Sequence, residues 1–289
     1  MYFDIPSPGA SSSCAPTARI YVDHGAAPWQ AQRPTLVCIH GVLCDHSVWQ
    51  PMAAGMDALG WNMAAIDLPG HGLSSGPAPR SVQEAAAWLP PLLDAMGLAQ
   101  AALMGHSWGS LIALEAAAQL GQRIGHLALV GTASPMAVAP ALLALAQNDP
   151  PQAMALIDKY SRSRATPAAF DGQALSQKIF AGNPGTNLLA SGLQACHAYQ
   201  EALAAMRQVT ADTLFIVGAD DRMTPASAAQ PLIAAAQGRT TTASRPGTIV
   251  AHLTSGHLPM VDAPGPMLQA LGQLLRRDSD PNPGRQQTD

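Results

Sequence analysis

The chain has 289 residues, a mass of 29.8 kDa, a formal net charge of −4 and a pI near 6.1, which leaves no basic field for nucleic acid. Hydrophobic residues make up 48% and charged residues 12%, a balance that excludes a disordered chain and suits one α/β core with an insertion. Aromatics are only 4%, so that core is built mainly from Ala, Leu, Val, Ile and Met, and a small molecule is the default partner.

Met1 to Ser13 carries neither a basic stretch nor an apolar run, so no signal peptide is expected. The four cysteines, Cys14, Cys38, Cys44 and Cys196, have no C-x-x-C pairing or metal spacing, which fits free thiols in a reducing, cytoplasmic setting without a metal site. Thr35 to Ile39 and Asn62 to Ile66 read as strands flanking a helix from Ser47 to Ala58. Ala101 to Gly105 follows a helix from Val82 to Met96 and gives way to an amphipathic stretch from Leu111 to Leu120. Leu127 to Gly131 is the next strand. Leu127 to Ala146 is free of charge and of membrane-span length, but Gly131, Thr132, Ser134, Pro135 and Pro140 break it. It therefore reads as a core strand followed by a new segment, with no membrane as partner.

Residues 132–206 contain helical patches, Ala153 to Tyr160 and Leu193 to Met206, and no convincing strand. The expectation is a helical lid inserted after the sixth strand, dividing the core into residues 1–131 and 207–275. Thr213 to Val217 and Thr248 to Leu253 resume the strand signal around a helix from Ala226 to Gln237. A helix from Pro266 to Leu275 closes the pattern, and the Pro-rich polar residues 276–289 read as a disordered tail. Alternating apolar runs and helices predict an α/β fold, a mostly parallel sheet with helices on both faces.

Gly105-His106-Ser107-Trp108-Gly109 falls where a strand turns sharply into a helix. A Gly-x-Ser-x-Gly in that setting forms a nucleophile elbow, because the strained turn lifts the serine hydroxyl clear and the glycines let strand and helix approach. A serine needs a base to take its proton, and the base needs an orienting acid. His257 lies in a Gly-containing loop just after the Thr248 to Leu253 strand, whereas its competitor His252 lies within that strand. Asp221 follows the strand Leu214 to Val217, with Asp220 as the neighbour to exclude. Open α/β sheets place their sites at this edge, and the chain order is Ser, Asp, His.

With these residues the chain resembles the α/β-hydrolase fold superfamily from about residue 18 to 275. His40-Gly41-Val42-Leu43 is similar to the family's oxyanion loop. Asp67 to Ser74 resembles its next motif, Gly218 to Pro225 its acid loop, and Gly256-His257 its base loop. The resemblance implies that Ser107, Asp221 and His257 are catalytic and that the backbone amides of Val42 and Trp108 form the oxyanion hole. It implies a cofactor-free serine hydrolase acting through an acyl-enzyme on a carboxylic ester or lactone. The enzymatic rival is carbon–carbon bond hydrolysis of a dienoate, and a small-molecule receptor on the same fold is the non-enzymatic one. His40 and His106 are expected to support loops and Asp67 to anchor its turn; the alternative reading of Asp221 is a cap for the helix that follows Thr224-Pro225, a use compatible with catalysis. Lys159, Arg162 and Arg164 read as a solvated face of the lid.

Overall fold

The computed structural model describes residues 1–6, 17–239 and 247–276. Cys14 and residues 277–289 of the expected tail lie outside them. The described strands are β1 (Tyr2–Pro6), β2 (Thr17–Asp23), β3 (Thr35–Ile39), β4 (Asn62–Ile66), β5 (Ala101–His106), β6 (Ile124–Val130), β7 (Asp212–Gly218) and β8 (Thr248–Leu253). They form one sheet in the order β1-β2-β4-β3-β5-β6-β7-β8. β1 pairs antiparallel with β2, and β2 antiparallel with β4; every other pairing is parallel.

The parallel strands β3, β4 and β5 are buried at every residue. Helices cover both faces, so these strands read in sequence as unbroken apolar runs rather than as alternation. β1 and β2 are the strands the sequence pattern did not reveal. They stand at the sheet edge with only Ile5, Ala18, Ile20 and Val22 fully inward, and the interleaved Asp4, Arg19 and Asp23 dilute the apolar signal.

The helices are α1 (Ala53–Ala58), α2 (Val82–Ala86), α3 (Leu89–Ala95), α4 (Trp108–Leu120), α5 (Pro140–Asn148) and α6 (Pro150–Ser161). After them come α7 (Gly172–Ala181), α8 (Leu188–Ala198), α9 (Ala202–Gln208), α10 (Ala226–Gln237), α11 (Pro259–Asp262) and α12 (Pro264–Leu275). None among the described residues is long and apolar enough to cross a membrane. The helix expected over 47–58 is divided into a 3-10 segment, His46–Met52, and α1. The helix expected over 82–96 is also two, because Pro90 and Pro91 open α3 and cannot donate to α2. α4 begins directly behind Ser107, and it is buried on nearly every side rather than amphipathic, because it packs on β5 and β6 and is covered by α2 and α9.

Between β6 and β7 the chain runs through α5 to α9, and the patch expected as one helix over 193–206 is interrupted at residues 199–201. α9 packs on α4 and α10, within the layer that covers the sheet. α5 to α8 instead share an apolar cluster with Leu43, formed by Ala146, Met154, Ile179, Leu189 and Leu193, which meets the sheet core at Val42, Val138 and Leu175. Side-chain caps start three of these helices: Asp149 accepts from the Gln152 amide, Asp171 from Ala174 and Asn187 from Ala190.

Candidate active site

The strand order reverses at β3, with β4 on one side and β5 on the other. At such a switch point the loops leaving adjacent strand ends part and leave a crevice. Ser107 alone makes the turn from β5 into α4, with φ 53° and ψ −118°. Non-glycine residues hold such a conformation only when the surroundings impose it. A Cβ on Gly105 would strike the Gly109 carbonyl, and one on Gly109 the Ile39 carbonyl, so both glycines are required for the close crossing of β5, α4 and β3. A serine at a helix N-cap ordinarily accepts from an amide of the first turn. Ser107 makes no such bond, so its hydroxyl is not used as a cap.

The loops after β7 and β8 bring Asp221 and His257 together. His257 Nδ1 lies 2.9 Å from Asp221 Oδ2, with both side chains almost fully buried. A carboxylate only accepts, so Nδ1 carries the proton and Nε2 is the ring nitrogen available to the cavity. The other oxygen of Asp221, Oδ1, accepts from the amides of Met223 and Thr224, both at 2.8 Å. Burial raises the Asp221 carboxyl, but the facing His257 and the Thr224 amide and hydroxyl outweigh it and hold the acid below the usual carboxylate range. Asp220 is exposed, and His252 points to the exposed side of β8.

His106 Nε2 donates to the His257 carbonyl at 2.7 Å, and burial pushes its pKa down to about 3, so it is a neutral support. His40 supports the neighbouring loop: Nδ1 donates to the Gly41 carbonyl at 2.8 Å and Nε2 accepts from the Leu68 amide at 3.1 Å. Asp67 anchors its turn by accepting from the His46 amide and ring and from the Leu73 amide. The loop after β3 lies against the elbow, since a Cβ on Gly41 would sit 3.3 Å from Ser107 Cβ. That places Val42, the next residue, beside Ser107 in the cavity wall. Trp108 is the first residue of α4, where an amide has no preceding helical carbonyl to bind.

A cavity of about 110 Å³ opens over Ser107 and His257. Met154, Ile157, Leu189 and Leu193 of α6 and α8 form much of its far wall. No Lys or Arg among the described residues lines it. Arg162 is engaged elsewhere, donating to the Phe170 carbonyl at 2.9 Å beside Asp158, while Lys159 and Arg164 are exposed. Cys44 and Cys196 also line the cavity, but burial pushes both thiols up to about 12, so neither is a nucleophile near neutral pH. Among the described residues no group of three or more His, Cys, Asp or Glu could hold a metal ion.

Two contributors were not anticipated from the sequence. Thr224 Oγ1 donates to Asp221 Oδ2 at 2.8 Å and lies 3.2 Å from His257 Nδ1; its place three residues after an Asp is the spacing of a side-chain turn and could have marked it. Asp262 binds the His257 loop from α11, and no local pattern marks it.

A mostly parallel sheet with a strained serine behind its fifth strand and an Asp–His pair on the loops after its last two defines an α/β-hydrolase fold. The chain has that fold, and the model of the alpha/beta hydrolase fold family matches residues 34–164. A 2-succinyl-6-hydroxy-2,4-cyclohexadiene-1-carboxylate synthase of Pectobacterium atrosepticum is 35% identical over 108 residues, 37% of this chain and 40% of that protein. The aligned stretches span only about a third to two fifths of the length of such curated relatives. The structure of the enol-lactonase from Burkholderia xenovorans superposes with a TM-score of 0.73 at 20% identity, over 90% of this chain and 97% of that one. An esterase from Exiguobacterium antarcticum superposes at 0.73 with 17% identity, over 96% of this chain and 100% of that one. At these identities the structural likeness concerns the fold.

Proposed function

We propose that the chain is a serine hydrolase that cleaves neutral carboxylic esters or lactones through an acyl-enzyme and needs no cofactor. The observation that carries this reading is the buried His257–Asp221 hydrogen bond in the wall of the cavity that also holds the strained Ser107. Ser107 Oγ attacks the substrate carbonyl while His257 Nε2 takes its proton, and Asp221 steadies the resulting imidazolium from the Nδ1 side. The oxyanion of the tetrahedral intermediate accepts from the Val42 and Trp108 amides, with the positive end of α4 behind them. His257 then protonates the leaving alcohol, and a water activated by the same nitrogen releases the acid and restores Ser107. The helices α5 to α8 act as the lid that selects the acyl group.

An apolar wall without Lys or Arg favours an uncharged substrate of short to medium acyl length. A carbon–carbon bond hydrolase acting on an anionic dienoate would require a cation to hold the carboxylate, and the described wall supplies none. The test is ester turnover and fluorophosphonate labelling of the wild type beside Ser107→Ala. The wild type should label once, and the variant should stay folded, escape labelling and lose about 10⁶ in turnover. A folded, active alanine variant overturns the mechanism.

A further inference from the structure

We infer that Asp262 and Ser163 are positioning residues that mount His257 on the end of α6, a role that rests on the hydrolase reading. The backbone of the His257 loop is held from several sides. The Gly256 amide donates to Asp262 Oδ2 at 2.7 Å, the His257 amide to the Ser161 carbonyl at 2.9 Å, and the His257 carbonyl accepts from His106. The same Asp262 oxygen accepts from Ser163 Oγ at 2.8 Å. One carboxylate oxygen thus joins the turn that ends α6 to the amide of the residue immediately before His257. The fit is close: a Cβ on Gly256 would strike the Ser161 carbonyl.

The same end of α6 is tied to the loop that carries the acid. Arg222, next to Asp221, donates to the Lys159 carbonyl at 2.6 Å. The helix end is therefore bonded to both loops whose side chains form the Asp221–His257 pair. Asp262 Oδ1 is buried with no partner among the described residues. Such an orphaned oxygen lowers stability. A residue serving stability alone would not be expected to carry that penalty, whereas Oδ2 holds the His257 loop at Gly256 and the turn after α6 at Ser163 together. The geometry of a general base is exacting, and a displacement of about 1 Å can cost about 10² in rate.

The experiment compares wild type, Asp262→Ala, Asp262→Asn and Ser163→Ala. It reads kcat and KM on a short neutral ester, the second-order rate of fluorophosphonate labelling at Ser107, and Tm. Asp262→Ala should lose about 10² in both kcat and labelling rate, with KM within about twofold of wild type. Asp262→Asn keeps an acceptor for Gly256 and Ser163 and should recover most of that loss. Ser163→Ala removes one bond and should lose about tenfold. Asp262→Ala with wild-type kcat and labelling well below its Tm overturns the inference, as does an Asn variant no better than Ala. If Asp262→Ala does not fold, Ser163→Ala decides, and wild-type rates in it overturn the proposal. A wild type that labels without hydrolysing esters sets aside the substrate reading but leaves the labelling comparison intact. A wild type that does neither overturns both.

Discussion

α4, which starts behind Ser107 in the cavity wall, and the helices α5 to α7, of which α6 and α7 line the same cavity, are held in different ways. α4 buries nine of its residues against β5, β6 and neighbouring helices. α5 and α7 bury one residue each, Ala146 and Ile179. The Ser107 hydroxyl is thus mounted on an element restrained from every side, while α7, which lines part of the cavity wall, buries a single residue. Chemistry that fails on a displacement of about 1 Å calls for the first kind of support, and a wall that must admit and release a substrate suits the second. The end of α6 departs from this division because it is bonded to the His257 loop.

The largest expected effect falls on the rigid side. Asp221→Asn should lower kcat by about 10⁴, because an amide in that place no longer fixes the His257 tautomer, while the exposed Asp220→Asn should remain within about twofold of wild type. Steady-state kinetics on one neutral ester reads both, and a larger loss at Asp220 would reassign the acid.

Acidification should also strike the core. Burial pushes His71 and His106 down to about 3 from their ordinary 6.5. Between these values the unfolded chain binds more protons than the folded one, so stability falls as pH falls, by up to about 1.4 kcal/mol per pH unit for each histidine. His46 and Asp67 do not oppose that slope between pH 6.5 and 4.5. The raised His46 contributes below 6.5 and loses its contribution as pH rises through its folded value. The lowered Asp67 contributes above 3.8 and loses it only as pH falls further. Urea midpoints should therefore drop from pH 7 to pH 4.5, and His71→Gln should flatten the slope. Identical slopes in the two proteins would remove His71 from the account.

The smallest effect should come from the lid side. Leu193→Ala in α8 enlarges the cavity and should shift kcat/KM toward bulkier acyl groups by about tenfold. The same truncation at the fully buried Leu103 in β5 should cost about 3 kcal/mol of stability and leave the acyl preference unchanged. A uniform loss across the ester series for Leu193→Ala would place that side chain outside the acyl site.

How far the sequence carries can be seen residue by residue. β3 to β7 announced themselves because strands buried on both faces must be nearly continuously apolar, and β8 by the apolar run Thr248–Leu253. β1 and β2 did not, because half-exposed edge strands mix Asp and Arg into a short apolar alternation. Ser107 was legible because the elbow demands small neighbours at fixed spacing, and α10 was found over its full length, Ala226–Gln237.

Local chemistry in the sequence thus determined the sheet, the serine on its elbow and the candidate base and acid, each of which depends on neighbours a few residues away. Only the tertiary structure decided that His257 meets Asp221 rather than Asp220, that Thr224 shares their hydrogen bonds, and that Asp262 ties the His257 loop to the end of α6. The contacts Asp221–His257 and Ser163–Asp262 span 36 and 99 residues of chain. The cavity wall likewise joins α6 and α8 to Val42 of the β3 loop. Contacts of that range leave no periodicity in the sequence, because they arise where separate strand ends and helices converge in space.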